Sequence, residues 1–282
     1  MTNHIDKKYY DHQLQKIEID LLLEAIYRQY GYDFRNYAAP FIQRRIFNRM
    51  AAENVETVSG LQEQVLHEPR VMERLFNDFS INVTEMFRDP AFFRILRKKV
   101  IPALREYPVI RIWHVGCGSG EEVYSMAILL HEEGLYEKSK IYATDINQIN
   151  LEKAKQGSFP LEKMKLYTTN YIQSGGEKAF SEYYTVKNEV AAFHSFLKKN
   201  IVFFQHNLVT DQSFNEFHII ICRNVMIYFN KKLQNYVHHL LYESLFHSGY
   251  IGLGNREEVR FTDYAEYYEV LNSGEKLYRK TK

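Results

Sequence analysis

The residues best suited to chemistry lie in a glycine-rich segment near the middle of the chain. Gly116, Gly118 and Gly120 alternate directly after VIRIWHV, an apolar run typical of a buried strand. Alternating glycines let a chain turn sharply out of a strand and approach a ligand without clashes from Cβ atoms. Glu121 stands where the dinucleotide pattern GxGxxG requires glycine. Because a nicotinamide or flavin nucleotide could use a similar turn, the glycines alone leave the ligand open.

Acidic residues around this turn favour a ligand that carries no phosphate. Glu121 and Glu122 begin the next predicted helix, where they would repel a pyrophosphate but not a cationic sulfonium. Asp145 ends the following strand, KIYATD, and an acid there can accept hydrogen bonds from both ribose hydroxyls. Asn207 and Leu208 follow a third strand, where an adenine would lie in this kind of fold. The pattern indicates S-adenosylmethionine, with a nicotinamide nucleotide or a turn without ligand as the alternatives.

Two predicted regions must position these residues, one helical and one with alternating strands and helices. Helical periodicity predicts an all-helical N-terminal region, with one helix that ends at Gly31. From Val109 onward strands and helices alternate, which predicts a doubly wound α/β sheet. Residues 160–200 interrupt this rhythm and are predicted to form an inserted antiparallel β-subdomain. A long helix is predicted from Lys231 to near Gly249, with two last strands after it.

Composition argues against several classes of function. Because 36 Lys and Arg face 35 Asp and Glu, no overall basic field for nucleic acid is present. Cys117 and Cys222 lie in apolar strand regions, and no Cys or His spacing suits zinc, so we expect no metal. No stretch approaches the roughly 20 apolar residues that a membrane helix needs. The expectation is a reduced, cytoplasmic protein without membrane insertion.

Three further segments, taken together and in this order, resemble the chemotaxis receptor methyltransferases, the CheR family. They are NVTEMFRD (82–89), GEEVYS (120–125) and CRNVMIYF (222–229). The resemblance covers nearly the whole chain. It implies a helical N-terminal domain (1–80), a linker closing over the cofactor (81–108), and a Rossmann-like methyltransferase domain (109–282) with the β-subdomain inserted at about 160–200.

The resemblance also implies roles for individual residues. The residues that would bind S-adenosylmethionine are Asn82, Thr84, Arg88, Gly116, Gly118, Glu122, Asp145, Asn207, Leu208, Arg223 and Asn224. Within this set, Glu122 would bind the amino-acid portion and Asp145 the ribose. Arg88 and Tyr228 would face the reacting centre. Basic residues on the helix FIQRRIFNRM would dock the receptor's helical bundle, although a solvated helix face explains them equally well: Arg44, Arg45 and Arg49.

The reaction that the resemblance implies is methylation of glutamate side chains on a chemoreceptor or a related helical signalling protein. The products are a glutamate γ-methyl ester and S-adenosylhomocysteine. A glutamate with a pKa of about 4.3 is already ionised at neutral pH, so no general base is needed. Arg88 is predicted to orient the carboxylate through its planar guanidinium, and Tyr228 to contact it through the phenol oxygen.

Two departures from the family pattern keep other acceptors open. The chain has GNRE at 254–257 where the family often has GHSE, and its insertion is distinctive. The surroundings of the substrate are therefore expected to differ. One alternative keeps the chemistry but changes the acceptor to a non-chemotaxis protein or a small-molecule acid. The other is a cofactor-sensing module that transfers nothing.

Overall fold

The computed structural model describes residues 2–80, 83–260 and 262–282, with residues 2–11 described by their backbone alone. Contacts divide the chain into two compact units. The smaller unit comprises the described part of Met1–Ile81 together with Tyr228–Leu233, and the larger unit takes the rest. Tyr228–Leu233 joins the smaller unit although it lies far from the other members in sequence.

The smaller unit is helical, which confirms the prediction for the N-terminal region. Its helices are α1 (Thr2–Tyr30), α2 (Ala39–Glu53), α3 (Val58–His67) and α4 (Pro69–Phe79). Gly31 ends α1 with a φ of +78°, and the Thr57 hydroxyl caps α3 by accepting a 3.0 Å bond from the Gly60 N–H. Apolar residues at helical spacing, among them Leu22, Ile26 and Ile46, pack into its core. Among the described residues, no helix is both long and apolar enough to cross a bilayer.

A seven-stranded sheet forms the centre of the larger unit. The strands among the described residues of that unit are β1 (Ile110–Val115), β2 (Ser139–Asp145), β3 (Ser158–Pro160), β4 (Tyr184–Lys187), β5 (Val190–Phe193), β6 (Ile201–Gln205), β7 (Phe217–Cys222), β8 (Leu245–Leu253), β9 (Tyr268–Asn272) and β10 (Leu277–Lys280). The order across the large sheet is β6-β2-β1-β7-β8-β10-β9, and β10 runs antiparallel to both neighbours. Because the first five strands in that order are parallel, their carboxyl ends meet at one edge. The predicted Rossmann-like methyltransferase fold is confirmed.

The helices of the described larger unit pack around this sheet. They are α5 (Pro90–Lys99), α6 (Ile101–Leu104), α7 (Glu121–Glu132), α8 (Gln148–Gln156), α9 (Met164–Gln173) and α10 (Lys231–Glu243), the last of which begins in the smaller unit. The segment assigned to a linker contains α5 and α6. Phe92, Phe93 and Leu96 of α5 are fully buried in the main core, so most of this segment is an integral part of the larger unit.

The insertion contains an antiparallel sheet in the order β3-β5-β4, as predicted, but also a helix, α9. Its aromatic side chains, including Tyr171 and Tyr183, belong to the same core as the main sheet. Both phenols donate to Glu132 of α7, and Arg97 of α5 forms an ion pair with the same carboxylate. A half-buried polar cluster and apolar packing therefore both hold the insertion against the rest of the larger unit.

Three elements differ from the sequence-based expectation. The helix predicted to run to near Gly249 ends at Glu243, because Leu245–Leu253 pairs with β7 as strand β8. Helix α9 was not predicted, although Met164, Tyr167 and Tyr171 form a buried stripe at helical spacing. Strand β9 was also missed, since most of its residues are at least partly exposed at the sheet edge and no apolar alternation marks it.

Candidate active site

The glycine turn follows the carboxyl end of β1. Its backbone has the geometry that its sequence predicts. Gly116, Gly118 and Gly120 have φ values of +63°, +55° and +95°, a region that strongly favours glycine. Space is also restricted, because a Cβ on Gly120 would lie 2.9 Å from the Cβ of Ala154 on α8. The Cys117 N–H donates a 2.8 Å bond to the Thr144 carbonyl, which ties the turn to the end of β2.

Asp145 lies at the carboxyl end of β2 and receives bonds from the glycine turn. Its Oδ2 accepts from the Gly118 N–H at 2.9 Å, and its Oδ1 from the Asn147 N–H at 2.8 Å. The residue is only 8% exposed, and burial raises the pKa of its carboxyl while the N–H donors oppose that shift. Oδ1 also accepts a longer 3.4 Å bond from the Asn150 amide, whereas Oδ2 keeps a lone pair that can accept a ribose hydroxyl.

Glu122, in the first turn of α7, is held by a deeply buried arginine. The Arg223 Nη1 lies 2.6 Å from Glu122 Oε2, and its Nη2 lies 2.5 Å from Asp89 Oδ2. The Arg223 side chain is 1% exposed, and its guanidinium lies over the Phe92 ring, 4.4 Å from the centroid. Nδ1 of His114, on β1, lies 3.5 Å from the other oxygen of Glu122. These contacts join α7, β7 and the turn before α5 through charged groups.

The ion pair makes Glu122 an unusually strong acid. Burial acts to raise its pKa, but Arg223 and His114 outweigh this effect and lower the pKa from the ordinary 4.5 to about 2. Glu122 is therefore ionised at neutral pH. By contrast, burial raises the pKa of the neighbouring Glu121, whose carboxylate accepts from the Ser119 hydroxyl at 2.6 Å. Glu121 is almost fully buried, so the case against a phosphate ligand rests on Glu122.

This pKa shift predicts a specific pH dependence of stability. A glutamate whose pKa is lowered on folding stabilises the native state above about pH 4.5, and this contribution is lost as the pH falls towards about 2. We expect Glu122→Gln to be less stable than wild type at pH 7, with a difference that shrinks steadily between pH 5 and about pH 2. Urea unfolding of both proteins across this range measures the difference. A gap that is independent of pH would contradict the assigned ion pair.

The motif NVTEMFRD precedes α5 and is anchored to the larger unit. Asn82 lies outside the described residues, and Thr84 is half-buried. The Phe87 N–H donates a 2.8 Å bond to the Ser125 hydroxyl of α7, and the Arg88 carbonyl accepts a 3.2 Å bond from Arg223. The Arg88 side chain donates to the Val83 carbonyl at 3.0 Å. Arg88 is thus placed by its backbone next to the Arg223 ion pair.

The segment after β6 meets the end of β2. The His206 N–H donates to the Asp145 carbonyl at 3.2 Å, which brings the following residues to the same sheet edge. Asn207 forms a turn in which its side-chain oxygen accepts from the Val209 N–H at 3.0 Å. Leu208 is 8% exposed. An apolar side chain at the sheet edge that carries Asp145 suits a flat heterocycle next to a sugar.

The loop after β7 carries Arg223 and Asn224 and is stabilised by a residue that we did not predict. Asn224 has a φ of +62°, and its N–H donates to Glu257 Oε2 at 2.9 Å. The N–H groups of the next three residues donate to Oε1 of the same glutamate. Glu257 belongs to the GNRE segment, whose sequence indicated only a departure from the family pattern and no structural role. Its pairing with the loop has no signature in the sequence.

The remaining predicted residues belong to the smaller unit. Tyr228 packs there against Phe41, with ring centroids 4.9 Å apart, and its carbonyl accepts from the Ala38 N–H at 2.8 Å. On α2, Arg44 is exposed and Arg45 half-buried. Arg49 forms ion pairs with Asp78 at 2.6 Å and Glu53 at 3.0 Å.

Eight of the predicted residues therefore meet at one edge of the larger unit, at the carboxyl ends of parallel strands or in the helix that follows one. They are Gly116, Gly118, Glu122, Asp145, Asn207, Leu208, Arg223 and Asn224. Ligands of open α/β sheets bind at this edge. The polar residues that sequence reasoning missed are Asp89, His114 and Glu257.

The charges at this edge fit a ligand with positive charge and a sugar. Glu122 is ionised and only partly shielded by Arg223, and Oδ2 of Asp145 can accept a further hydrogen bond. A sulfonium compound with an α-amino group and a ribose would meet both requirements, whereas a pyrophosphate would face Glu122 at the start of α7. Arg223, with two carboxylate partners, has little capacity left to neutralise an added anion.

Comparison with known proteins shows the family to which the chain belongs. The profile of the family "CheR methyltransferase, SAM binding domain" matches residues 82–275, and that of "CheR methyltransferase, all-alpha domain" matches residues 17–80. The chain is 48% identical to the protein Cher3 of Pseudomonas putida, over 94% of this chain and 97% of that protein. It is 28% identical to a chemotaxis protein methyltransferase of Borreliella burgdorferi, over 90% of this chain and 92% of the relative. A chemotaxis protein methyltransferase 2 of Pseudomonas aeruginosa is 30% identical, over 75% of each chain. The chain therefore belongs to the CheR methyltransferase family.

Proposed function

We propose that this chain transfers the methyl group of S-adenosylmethionine to glutamate side chains of a chemoreceptor or a related helical signalling protein. The observation that carries the proposal is that two acids lie beside the glycine turn: Glu122, which is ionised, and Asp145, which accepts hydrogen bonds from the backbone. This pair supports binding of a cation that bears a ribose. Two relatives are chemotaxis protein methyltransferases by name, which supports the class of acceptor.

The chemistry requires positioning more than acid–base catalysis. When bound, the cofactor supplies an electrophilic methyl group on a positively charged sulfur. The acceptor carboxylate, ionised at neutral pH, forms an oxygen–carbon bond as the carbon–sulfur bond breaks and its electron pair stays on sulfur. Holding nucleophile and methyl in line can lower the barrier by about 7–11 kcal/mol. In this proposal Asp145 and Glu122 hold the cofactor's two ends, and Arg88 orients the incoming carboxylate.

Docking of the acceptor is proposed for the basic face of α2. Arg44 is exposed and free to meet an acidic partner, whereas Arg49 is already held by Asp78 and Glu53. Arg44, and to a lesser extent the half-buried Arg45, would therefore contribute most to docking. Charge pairs at the rim of an interface mainly accelerate association, so their effect should weaken with added salt.

Incubation with methyl-labelled S-adenosylmethionine and chemoreceptor-containing membranes tests the proposal. Label on a protein that is released by mild base, as expected for a methyl ester, supports glutamate methylation. Label found only on small acids would replace the acceptor with a small-molecule carboxylate, and base-labile label only on another protein would exclude a receptor. Tight binding without any transfer would identify a cofactor-sensing module instead of an enzyme.

The side chain of Arg88 gives a sharper prediction within the same assay. We expect Arg88→Ala to lower the transfer rate about 100-fold, because loss of an orienting contact can cost this much. Binding of S-adenosylhomocysteine should change much less. Arg94→Ala, an exposed arginine on α5, is the matched control and should leave transfer unchanged. If the folded Arg88→Ala protein transfers methyl groups at the wild-type rate, Arg88 does not orient the acceptor.

A further inference from the structure

The carboxylate of Glu257 is buried at the centre of a cluster of backbone donors. It is 5% exposed and accepts five N–H bonds. Oε2 accepts from Asn224 at 2.9 Å and Gly254 at 2.6 Å, and Oε1 from Val225, Met226 and Ile227 at 2.9, 2.7 and 3.3 Å. Successive N–H groups that converge in this way form a binding site for an anion. Here the protein supplies the anion itself.

Four of these donors belong to one loop, residues 224–227, which begins with an unusual backbone conformation. Asn224 has a φ of +62°, a conformation that residues other than glycine adopt rarely, although asparagine tolerates it better than most. Its N–H is one of the five that Glu257 accepts. No Lys or Arg forms an ion pair with Glu257 in the described part of the chain, so the N–H groups provide the main compensation for its charge.

Close packing links Glu257 to the glycine turn through the same loop. A Cβ on Gly254 would lie 2.7 Å from Glu257 Oε2 and 2.8 Å from the Asn224 nitrogen, so glycine is required there. On the other side of the loop, a Cβ on Gly116 would lie 2.6 Å from Cγ2 of Val225. The position of residues 224–227 therefore defines one wall of the turn that leaves β1.

We propose that Glu257 is a positioning residue that holds the loop 224–227 in its cofactor-binding conformation and so controls affinity for S-adenosylmethionine. It acts through the backbone of Asn224 and through Val225 without touching the ligand. The inference rests on the proposed function only in that the ligand is S-adenosylmethionine or its demethylated product. It makes no assumption about the acceptor.

Glu257→Gln tests this idea, because it keeps the size of the side chain but replaces an acceptor oxygen with an N–H₂ group facing other donors. We expect the Kd for S-adenosylhomocysteine, measured by calorimetry, to rise at least tenfold. Amide hydrogen exchange at residues 224–227 should accelerate while that of β7 and β8 stays slow. Glu258→Gln is the matched control, since this neighbour pairs with Lys276 and contacts none of the loop amides given above.

Several outcomes would overturn the inference. Faster exchange of the loop with unchanged affinity would show that Glu257 is structural only, and unchanged exchange would show that it does not hold the loop. If the Gln variant fails to fold, Glu257→Asp, whose carboxylate is one methylene shorter, serves in its place. Wild type provides an independent check, because its amides at 224–227 must exchange far more slowly than those of an exposed loop. Lack of wild-type binding to S-adenosylhomocysteine would instead refute the cofactor, and missing transfer with intact binding would refute only the reaction.

Discussion

Asp145→Ala is expected to raise the Kd for S-adenosylhomocysteine at least tenfold while the protein remains folded. A hydrogen bond to a charged acceptor contributes about 1.5–3 kcal/mol, so loss of a ribose contact corresponds to roughly a 10- to 100-fold rise in Kd. The turn is affected as well, because the Gly118 and Asn147 N–H groups lose their acceptor. Calorimetric titration measures the change.

Two further variants separate the causes of this loss. Asp145→Asn keeps one carbonyl oxygen but turns an amide towards the Gly118 or Asn147 N–H, so we expect weakened but detectable binding. Glu152→Ala removes an exposed acid from the next helix and should leave Kd unchanged. An Asp145→Ala protein that binds with wild-type affinity would show that this carboxylate does not hold the ribose.

The second large effect is expected on stability, from Arg223→Ala. Removing the guanidinium leaves Glu122 and Asp89 without their common partner, and breaking a buried ion pair typically costs about 3–5 kcal/mol. We expect a value near 3 kcal/mol, because the Asp89 side chain is 32% exposed and water can solvate it. The Phe92 ring also loses the cation above it. Urea unfolding at pH 7 gives the free energy, and Arg94→Ala is the exposed control.

A double-mutant cycle distinguishes charge from packing in this result. Glu122→Gln combined with Arg223→Met removes one pair of charges and keeps most of the volume. If the ion pair carries the effect, the double variant should be more stable than the sum of the two single changes predicts. Strict additivity would mean that the Glu122–Arg223 pair contributes nothing and that Arg223 acts through Asp89 or through its packing over Phe92.

The two experiments address different features of the same edge of the sheet. Asp145 contacts the glycine turn and, in the proposal, the ribose of the cofactor, so Asp145→Ala should mainly weaken ligand binding. Arg223 is surrounded by protein groups, so Arg223→Ala should mainly lower the free energy of unfolding. It should also change the position of Glu122. The resemblance assigned both residues to the cofactor pocket. The observed contacts add to this a structural role for Arg223, which links Glu122 to the turn before α5.

Several features of the protein follow from sequence because they depend on local rules. The alternating glycines require positive φ values, and parallel strands bring the ends of β1 and β2 to one edge, so the proximity of Gly118 and Asp145 was predictable. Helical periodicity and strand–helix alternation sufficed for the fold class. The motifs NVTEMFRD and CRNVMIYF were sufficient to suggest the family.

Only the tertiary structure decided which charged groups pair. Glu122 and Arg223 are 101 residues apart, and Glu257 reaches amides 30 to 33 residues away, so no periodicity or spacing specifies either contact. The same holds for the end of α10, since pairing with β7 recruits Leu245–Leu253 into the sheet. Local sequence determined the turn and the acid beside it through backbone stereochemistry. Burial of charges was decided by packing, because a charge can be buried only where the folded chain brings its partners to it.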